Sequence, residues 1–265
     1  MSIITLTTDF GLRDGYVAQM KGMLLGINPD VRIVDVTHEI PPQDVTRGAI
    51  VLEQIVDSFP SGTIHVAVVD PGVGSDRPLI AAEVNGQRFV VPDNGLLSRI
   101  VRRRRPDAVR RLTETRFWNN RKEVSKTFHG RDILAPVAAW WSLGTPLTEF
   151  GPVWEQPLVM LKICEPQPIE GGIQGQVEAI DSFGNLITNL PAGELPSGGI
   201  PQLIVETGDI RIQGISQCYA DGYPGQILAL VGSGGKLEVA VNEGNAARQL
   251  AIPVGALVRV LSPKV

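Results

Sequence analysis

Asp70 and Arg77 bound an eight-residue stretch, Asp70-Pro-Gly-Val-Gly-Ser-Asp-Arg77, that begins where a strand-like run ends. An acid and a permanently charged base, joined by a glycine-containing loop, suit the orientation and deprotonation of a small neutral nucleophile. The preceding run, Thr63-Ile-His-Val-Ala-Val-Val69, is rich in β-branched residues and predicts a buried strand. Open α/β sheets place ligands at the carboxyl ends of such strands. Ile3-Ile-Thr-Leu-Thr-Thr-Asp9-Phe-Gly11 repeats the pattern, a strand running into an aspartate and a glycine. Phe128-His129-Gly130-Arg131-Asp132 opens a helix and carries one of three histidines. Three such edges, each with a charged group beside a glycine, predict one convergent polar site.

Other chemistries fit these residues less well. Asp9, Asp14, His38, Asp70, Asp93, His129 and Asp132 could in principle ligate a hydrolytic metal pair. No HxH, HExxH or DxH spacing is present, however, and Arg77 and Arg131 would oppose a second cation in the same loops. No metal is therefore expected. Asp70-Pro-Gly-Val-Gly lacks the GK[ST] ending of a phosphate-binding loop and leads with an anion. His38 and His65 read as structural, His65 because it lies within the apolar strand. Cys164 and Cys218 are far apart and without CxxC spacing, so neither a disulfide framework nor a zinc site is indicated.

These loops must be held by a substantial core, for which 265 residues suffice, even divided between two modest domains. A net charge of −4 argues against a nucleic-acid or anionic-membrane binder. The basic run Arg102–Arg105, with Arg110 and Arg111, reads as the solvated end of a helix rather than a phosphate patch. No apolar run approaches the ~20 residues of a membrane span and no signal-like segment precedes Ile3, so a cytoplasmic protein is expected.

The first part alternates. Strands are predicted at Ile3–Thr8, Val31–Val36 and Thr63–Val69, and a hairpin pairs Leu79–Val84 with Gln87–Val91 across Asn85-Gly86. A short strand is predicted near Ala108–Leu112. Helices are predicted over Tyr16–Ile27 with Asp14 as N-cap, from Asp44 to about Phe59, from Gly95 to about Arg103, and after His129 with Pro136 in the first turns. Such alternation implies an α/β domain with a mostly parallel sheet covered on both faces. After Pro152 the rhythm changes. Short β-like runs at 175–180, 186–189, 202–205, 209–212, 226–231, 236–241 and 257–260, separated by glycine-rich turns, predict an all-β, barrel-like domain. Residues 1–164 and 165–265 are read as the two domains.

Within the β-rich part, Asp181-Ser-Phe-Gly-Asn185, Ser233-Gly-Gly235 and Asn242-Glu-Gly-Asn245 are each either ordinary turns or ligand-binding loops. The ordered set decides more than any member. Thr7-Thr-Asp-Phe-Gly11, Val68-Val-Asp-Pro-Gly-Val-Gly74, Val91-Pro-Asp-Asn-Gly95, Phe128-His-Gly-Arg-Asp132, Asp181-Ser-Phe-Gly-Asn185 and Asn242-Glu-Gly-Asn-Ala246 together resemble the S-adenosyl-L-methionine (SAM) hydroxide adenosyltransferases. These are adenosine-forming SAM hydrolases, related to the fluorinase and chlorinase that attack SAM with halide. The resemblance spans nearly the whole chain. It implies Asp70, Arg77 and His129 as the catalytic set, Asp9 at the ribose diol, and Asp14 and Asp181 near the methionine ammonium. It further implies Ser233 as a carboxylate contact, Phe183 and Asn185 as adenine contacts, Val241 and Glu243 at the purine edge, and Tyr219 as a stacking residue. The halogenases carry tyrosine where this chain has Asp70, and an inserted amino-domain loop that is missing here. The fluorinase has serine at the position of Gly130, whereas the chlorinase has glycine. The expected reaction is SAM plus water giving adenosine plus L-methionine, with no cofactor, no nucleic acid and no membrane, in a homotrimer whose sites lie between subunits. The alternatives are a halide-dependent adenosyltransferase on the same scaffold and a SAM- or adenosine-binding protein with incidental turnover.

Overall fold

A computed structural model describes residues 2–119, 123–196 and 202–263. The chain forms two compact units, residues 1–161 and 162–265.

Among its described residues the first unit contains six strands: β1 (Ile3–Thr8), β2 (Arg32–Thr37), β3 (Ile64–Val68), β4 (Leu79–Val84), β5 (Gln87–Pro92) and β6 (Ala108–Arg111). They form one sheet in the order β2-β1-β3-β5-β4-β6. The β1–β2, β1–β3 and β3–β5 pairs are parallel, whereas β4 runs antiparallel to both β5 and β6. The sheet is thus mixed, and the expectation of a mostly parallel sheet holds only for its β2-β1-β3-β5 portion. The cause is local. Asn85 and Gly86 both have positive φ, 50° and 76°, and such a two-residue turn can join only antiparallel neighbours.

Helices cover both faces. Helices α1 (Tyr16–Ile27) and α4 (Ala135–Ser142) pack Met20, Leu24 and Trp141 against Ile4, Leu6 and Val66. On the other face α2 (Val45–Ile55) and α3 (Ser98–Arg103) pack Leu52 and Ile100 with Ala67, Val69 and Phe89. Alternate residues of β3 and its extension therefore serve opposite cores, which is why this run is apolar apart from His65. Asp44 caps α2 as expected, accepting from the Arg47 amide at 2.8 Å. The α-helix ends at Ile55 and tightens into a 3₁₀ turn over Val56–Ser58, short of Phe59. Asp14 is not the cap of α1; that position is Gly15, with no side-chain cap bond. Helix α3 starts at Ser98 rather than Gly95, whose φ of 105° excludes it from a helix. The arginines at its end meet acids of the α2 region, Arg103 reaching Glu53 at 3.2 Å and Arg104 reaching Asp57 at 2.7 Å.

The second unit is an antiparallel sheet of β7 (Gln167–Ile169), β8 (Gly172–Ile180), β9 (Leu186–Pro191), β10 (Ile204–Thr207), β11 (Ile210–Gln213), β12 (Ile227–Val231), β13 (Lys236–Val241) and β14 (Leu257–Leu261). Its order is β11-β10-β14-β8-β9-β13-β12, with β7 also paired to β8. Strand β8 turns the corner: residues 172–176 pair with β14 and residues 177–180 with β9. A bridge from Ser216 to Leu230 brings the chain after β11 onto β12, so the sheet nearly closes into a barrel around Val177, Leu186, Val205, Val239 and Val260. Strand β7 and the short helix α5 (Ala246–Leu250) are additional to the predicted elements. Both cysteines are free and exposed. Among the described residues no helix is long and apolar enough to cross a membrane.

Candidate active site

Asp70 lies just beyond the carboxyl end of β3, and Asp9 follows the end of the neighbouring parallel strand β1, with Thr8 opposite Val68. The 70–77 loop folds on itself through Val73 N–H to the Asp70 carbonyl (3.2 Å) and Ser75 N–H to the Gly72 carbonyl (3.1 Å). Gly74 is required for the tight packing of this loop. Its φ is +83°, and a Cβ there would lie 2.5 Å from the Lys126 carbonyl oxygen. The folded loop returns Arg77 to Asp70. Nε donates to both carboxylate oxygens at 2.8 and 2.9 Å, and Nη2 also reaches Oδ2. The same Nη2 lies 3.1 Å from Nδ1 of His129. Arg77 and Asp70 expose only 10% and 4% of their side chains, so this ion pair is largely shielded from water.

His129 is delivered by unusual backbone. It precedes a single π-helical turn, Gly130–Leu134, that continues into α4. Asp132, fully buried in this turn, is held by Arg131 Nε (2.7 Å), Asn119 Nδ2 (2.8 Å) and the Ser125 amide (2.8 Å). The Arg131 guanidinium also lies over the Phe128 ring at 5.0 Å. A Cβ on Gly130 would meet Met20 Sδ and Val68 Cγ1 at 3.4 Å, in van der Waals contact. Burial, then the charge of Arg77, depress the His129 pKa below its ordinary value, against opposing contributions from Asp70 and Asp132. Its imidazole is therefore neutral at pH 7. Since a guanidinium only donates, Nδ1 is an acceptor and the ring proton resides on Nε2.

The structure thus brings Asp70, Arg77 and His129 into one hydrogen-bonded set. Asp9 Oδ2 accepts from the Gln43 amide at 2.8 Å. Asp14 is exposed. A cavity of about 300 Å³ adjoins the set, lined by Ser75, Arg77, Thr113, Trp118 and His129 among others.

In the second unit, Asp181, Phe183, Asn185, Tyr219, Ser233, Val241 and Glu243 all line one cavity of about 730 Å³. Asp181 Oδ1 accepts the amides of Phe183 (2.9 Å) and Asn185 (2.8 Å), and its Oδ2 accepts Asn185 Nδ2 at 2.9 Å. The turn is thus self-bonded, leaving Phe183 74% exposed over the cavity. Glu238 also lines this cavity, although strand periodicity alone does not single it out. It is buried in β13 between the apolar Leu237 and Val239 and accepts the Tyr219 hydroxyl at 2.9 Å. Burial and the neighbouring Glu238 push the Tyr219 phenol up to about 12, and burial likewise raises Glu238. The usable signal is a lone carboxylate in an apolar strand. Asn245, by contrast, acts locally, capping α5 through the Arg248 amide at 2.8 Å.

Comparison with known proteins gives the same division of the chain. Residues 4–151 match the SAM hydroxide adenosyltransferase N-terminal domain, and residues 175–259 match the corresponding C-terminal domain. The chain is 42% identical over 261 residues to a protein of Salinispora tropica named (R)-S-adenosyl-L-methionine hydrolase, covering 97% of each chain. A protein of the same name from Thermus thermophilus is 37% identical, with coverage of 98% of this chain and 100% of the relative. Among solved structures, an uncharacterized conserved protein from Thermotoga maritima superposes with a TM-score of 0.91 at 33% identity, covering 97% of this chain and 99% of that one. Both halves and these full-length relatives place the chain in the SAM hydroxide adenosyltransferase family.

Proposed function

We propose that this chain hydrolyses SAM to adenosine and L-methionine by in-line attack of water on the 5′ carbon. The observation that carries the reading is Arg77, whose guanidinium bridges the Asp70 carboxylate and the His129 imidazole in one shielded set. The water oxygen forms a bond to C5′ while the C5′–S bond breaks. Its electron pair returns to the sulfonium, which departs as the neutral thioether of methionine. The leaving group needs no proton. The nucleophile does need to lose one, and bulk water, with a pKa near 15.7, does so only beside a cation or base. Arg77 supplies the positive charge and stays protonated. The single imidazole lone pair faces Arg77, so Asp70 receives the proton and His129 orients the water through Nε2–H. Asp9 holds the ribose diol and Asp14 approaches the methionine ammonium. The cavity of the second unit takes the adenine and the amino-acid end through Asp181, Phe183, Asn185, Tyr219, Ser233, Val241 and Glu243. We further propose a cytoplasmic homotrimer in which neighbouring subunits share each substrate, supported by the division of this set between two units.

Water is favoured over halide by the charge of Asp70. At about 4 Å and an effective dielectric near 20, two like charges repel by roughly 4 kcal/mol. That is about a thousandfold in rate before Arg77 offsets part of it. The test is chelator-treated protein with SAM in ¹⁸O-water containing molar chloride. Adenosine labelled in its 5′-hydroxyl is expected. Loss of activity restored by zinc or manganese, or 5′-chloro-5′-deoxyadenosine as main product, would overturn the reading.

A further inference from the structure

The motif Val91-Pro-Asp-Asn-Gly95 contributes no residue to the proposed chemistry, yet it touches both ends of the loop that does. The Asn94 side chain donates from Nδ2 to the carbonyl of Val69, immediately before Asp70, at 2.8 Å. The Asp93 amide donates to the carbonyl of Pro78, immediately after Arg77, at 2.9 Å. The 70–77 loop is thus suspended from one short turn. That turn is itself fixed. Asn94 Oδ1 accepts the Leu96 amide at 3.4 Å, and Asp93 Oδ1 accepts the Val159 amide at 2.9 Å. Gly95, at φ +105°, leaves no space for a side chain, since a Cβ would lie 2.7 Å from Leu161 Cγ.

We propose that Asn94 is a positioning residue for the reaction, holding the Val69 carbonyl so that Asp70 and Arg77 meet each other and His129. The role rests on the hydrolase reading, but its geometric part does not. A loop anchored at its exit and at its entry has one way to close, whereas loss of the Asn94 donor frees the entry. Displacement of reacting groups by about 1 Å is enough to lower a rate about 10²-fold. Asn94 approaches the backbone of Val69 and not the nucleophile, so its effect should fall on kcat rather than on SAM binding.

His129 reports the same geometry without turnover. The charged groups facing it are Arg77, Asp70 and Asp132, and Arg77 lowers its pKa. Arg77 moving away would raise that pKa and Asp70 moving away would lower it, so a loosened loop shifts the His129 titration. With three histidines in the chain, the imidazole titrations can be followed by NMR and assigned with His129→Asn. For Asn94→Ala, a cooperative melt is expected, with kcat about 10²-fold lower, KM for SAM within about twofold, and the His129 pKa shifted from its wild-type value. Asn94→Asp, which keeps the shape and loses the donor, should behave alike and serves if the alanine variant does not fold. An unchanged His129 titration with unchanged kcat, or an effect confined to KM, would overturn the proposal. If the wild type released no adenosine from SAM, the hydrolase reading would fail, and the His129 titration would still decide whether Asn94 positions the set.

Discussion

An arginine at position 77 donates through Nε and Nη2 at once, to a carboxylate on one side and an imidazole on the other. A lysine ammonium carries the charge but not the planar fork. Arg77→Lys is therefore expected to lower kcat about 10²-fold with a smaller change in KM, because the lost geometry concerns the nucleophile. Asp9→Ala should do the reverse, raising KM, since its proposed contact is with the ribose diol, a part of the substrate that does not react. Steady-state kinetics of both variants checks the pair; a pure KM effect for Arg77→Lys would remove Arg77 from the chemistry. His129 sets the pH limit. Its pKa is depressed, so the neutral form that accepts the Arg77 hydrogen bond persists below 6.5, and kcat should decline only at lower pH. An acidic limb at or above 6.5 would contradict this. Much of this set is legible from sequence because loops and strand ends advertise it. Glu238 and Asn94 are not, since a carboxylate inside a strand and an amide aimed at a backbone carbonyl acquire meaning only through packing.

Elements are legible where one local rule acts alone. The Asn85-Gly86 turn and the Asp44 cap are such cases, each fixed by a few neighbouring residues. The start of α1 is different: the sequence favours Asp14 as cap, but Gly15 takes that position and Asp14 is left exposed. Helix α5 has too short a period to be recognised. The loop between β3 and β4 depends on Gly74. Gly74→Ala combines a left-handed φ with a backbone clash, and is expected to cost about 1–3 kcal/mol and to reduce kcat by disturbing the Asp70–Arg77 approach. Denaturant unfolding with parallel kinetics checks this; a wild-type midpoint and rate would show the loop is compliant. Strand β3 carries a second liability. Burial drives the pKa of His65 down to about 4, so at pH 7 the residue is neutral whether folded or unfolded. As pH falls below 6.5 the unfolded chain binds the proton first, and stability is lost until about pH 4, by about 3 kcal/mol in all. Comparing unfolding free energies at pH 7 and pH 4.5 for wild type and His65→Gln should show a shallower pH slope in the variant. An identical slope would assign the acid lability elsewhere.

At the scale of the whole molecule, the change of rhythm after Pro152 makes the α/β and all-β parts legible, since strand–helix alternation gives way to short strands between glycine turns. Closure of the second sheet is less so. It depends on β8 pairing with different strands along its length, a long-range choice that no local pattern encodes. Assembly lies further still from the sequence, and its consequence is testable through the proposed division of labour. Asp70→Asn disables the proposed catalytic set of the first unit, and Asn185→Ala the cavity of the second. Each variant alone, in the proposed homotrimer, should be nearly inactive. In mixed trimers formed by co-expression, a site shared between subunits can combine the intact first unit of an Asn185→Ala chain with the intact second unit of an Asp70→Asn chain. With equal amounts and random mixing, each contribution is intact half the time, so about a quarter of wild-type activity should return. A site built within one chain always inherits a defect and returns none. Light scattering on the mixed material fixes the stoichiometry in the same experiment. An active monomer, or trimers with no recovered turnover, would dismiss the shared site and leave each chain to do the chemistry alone.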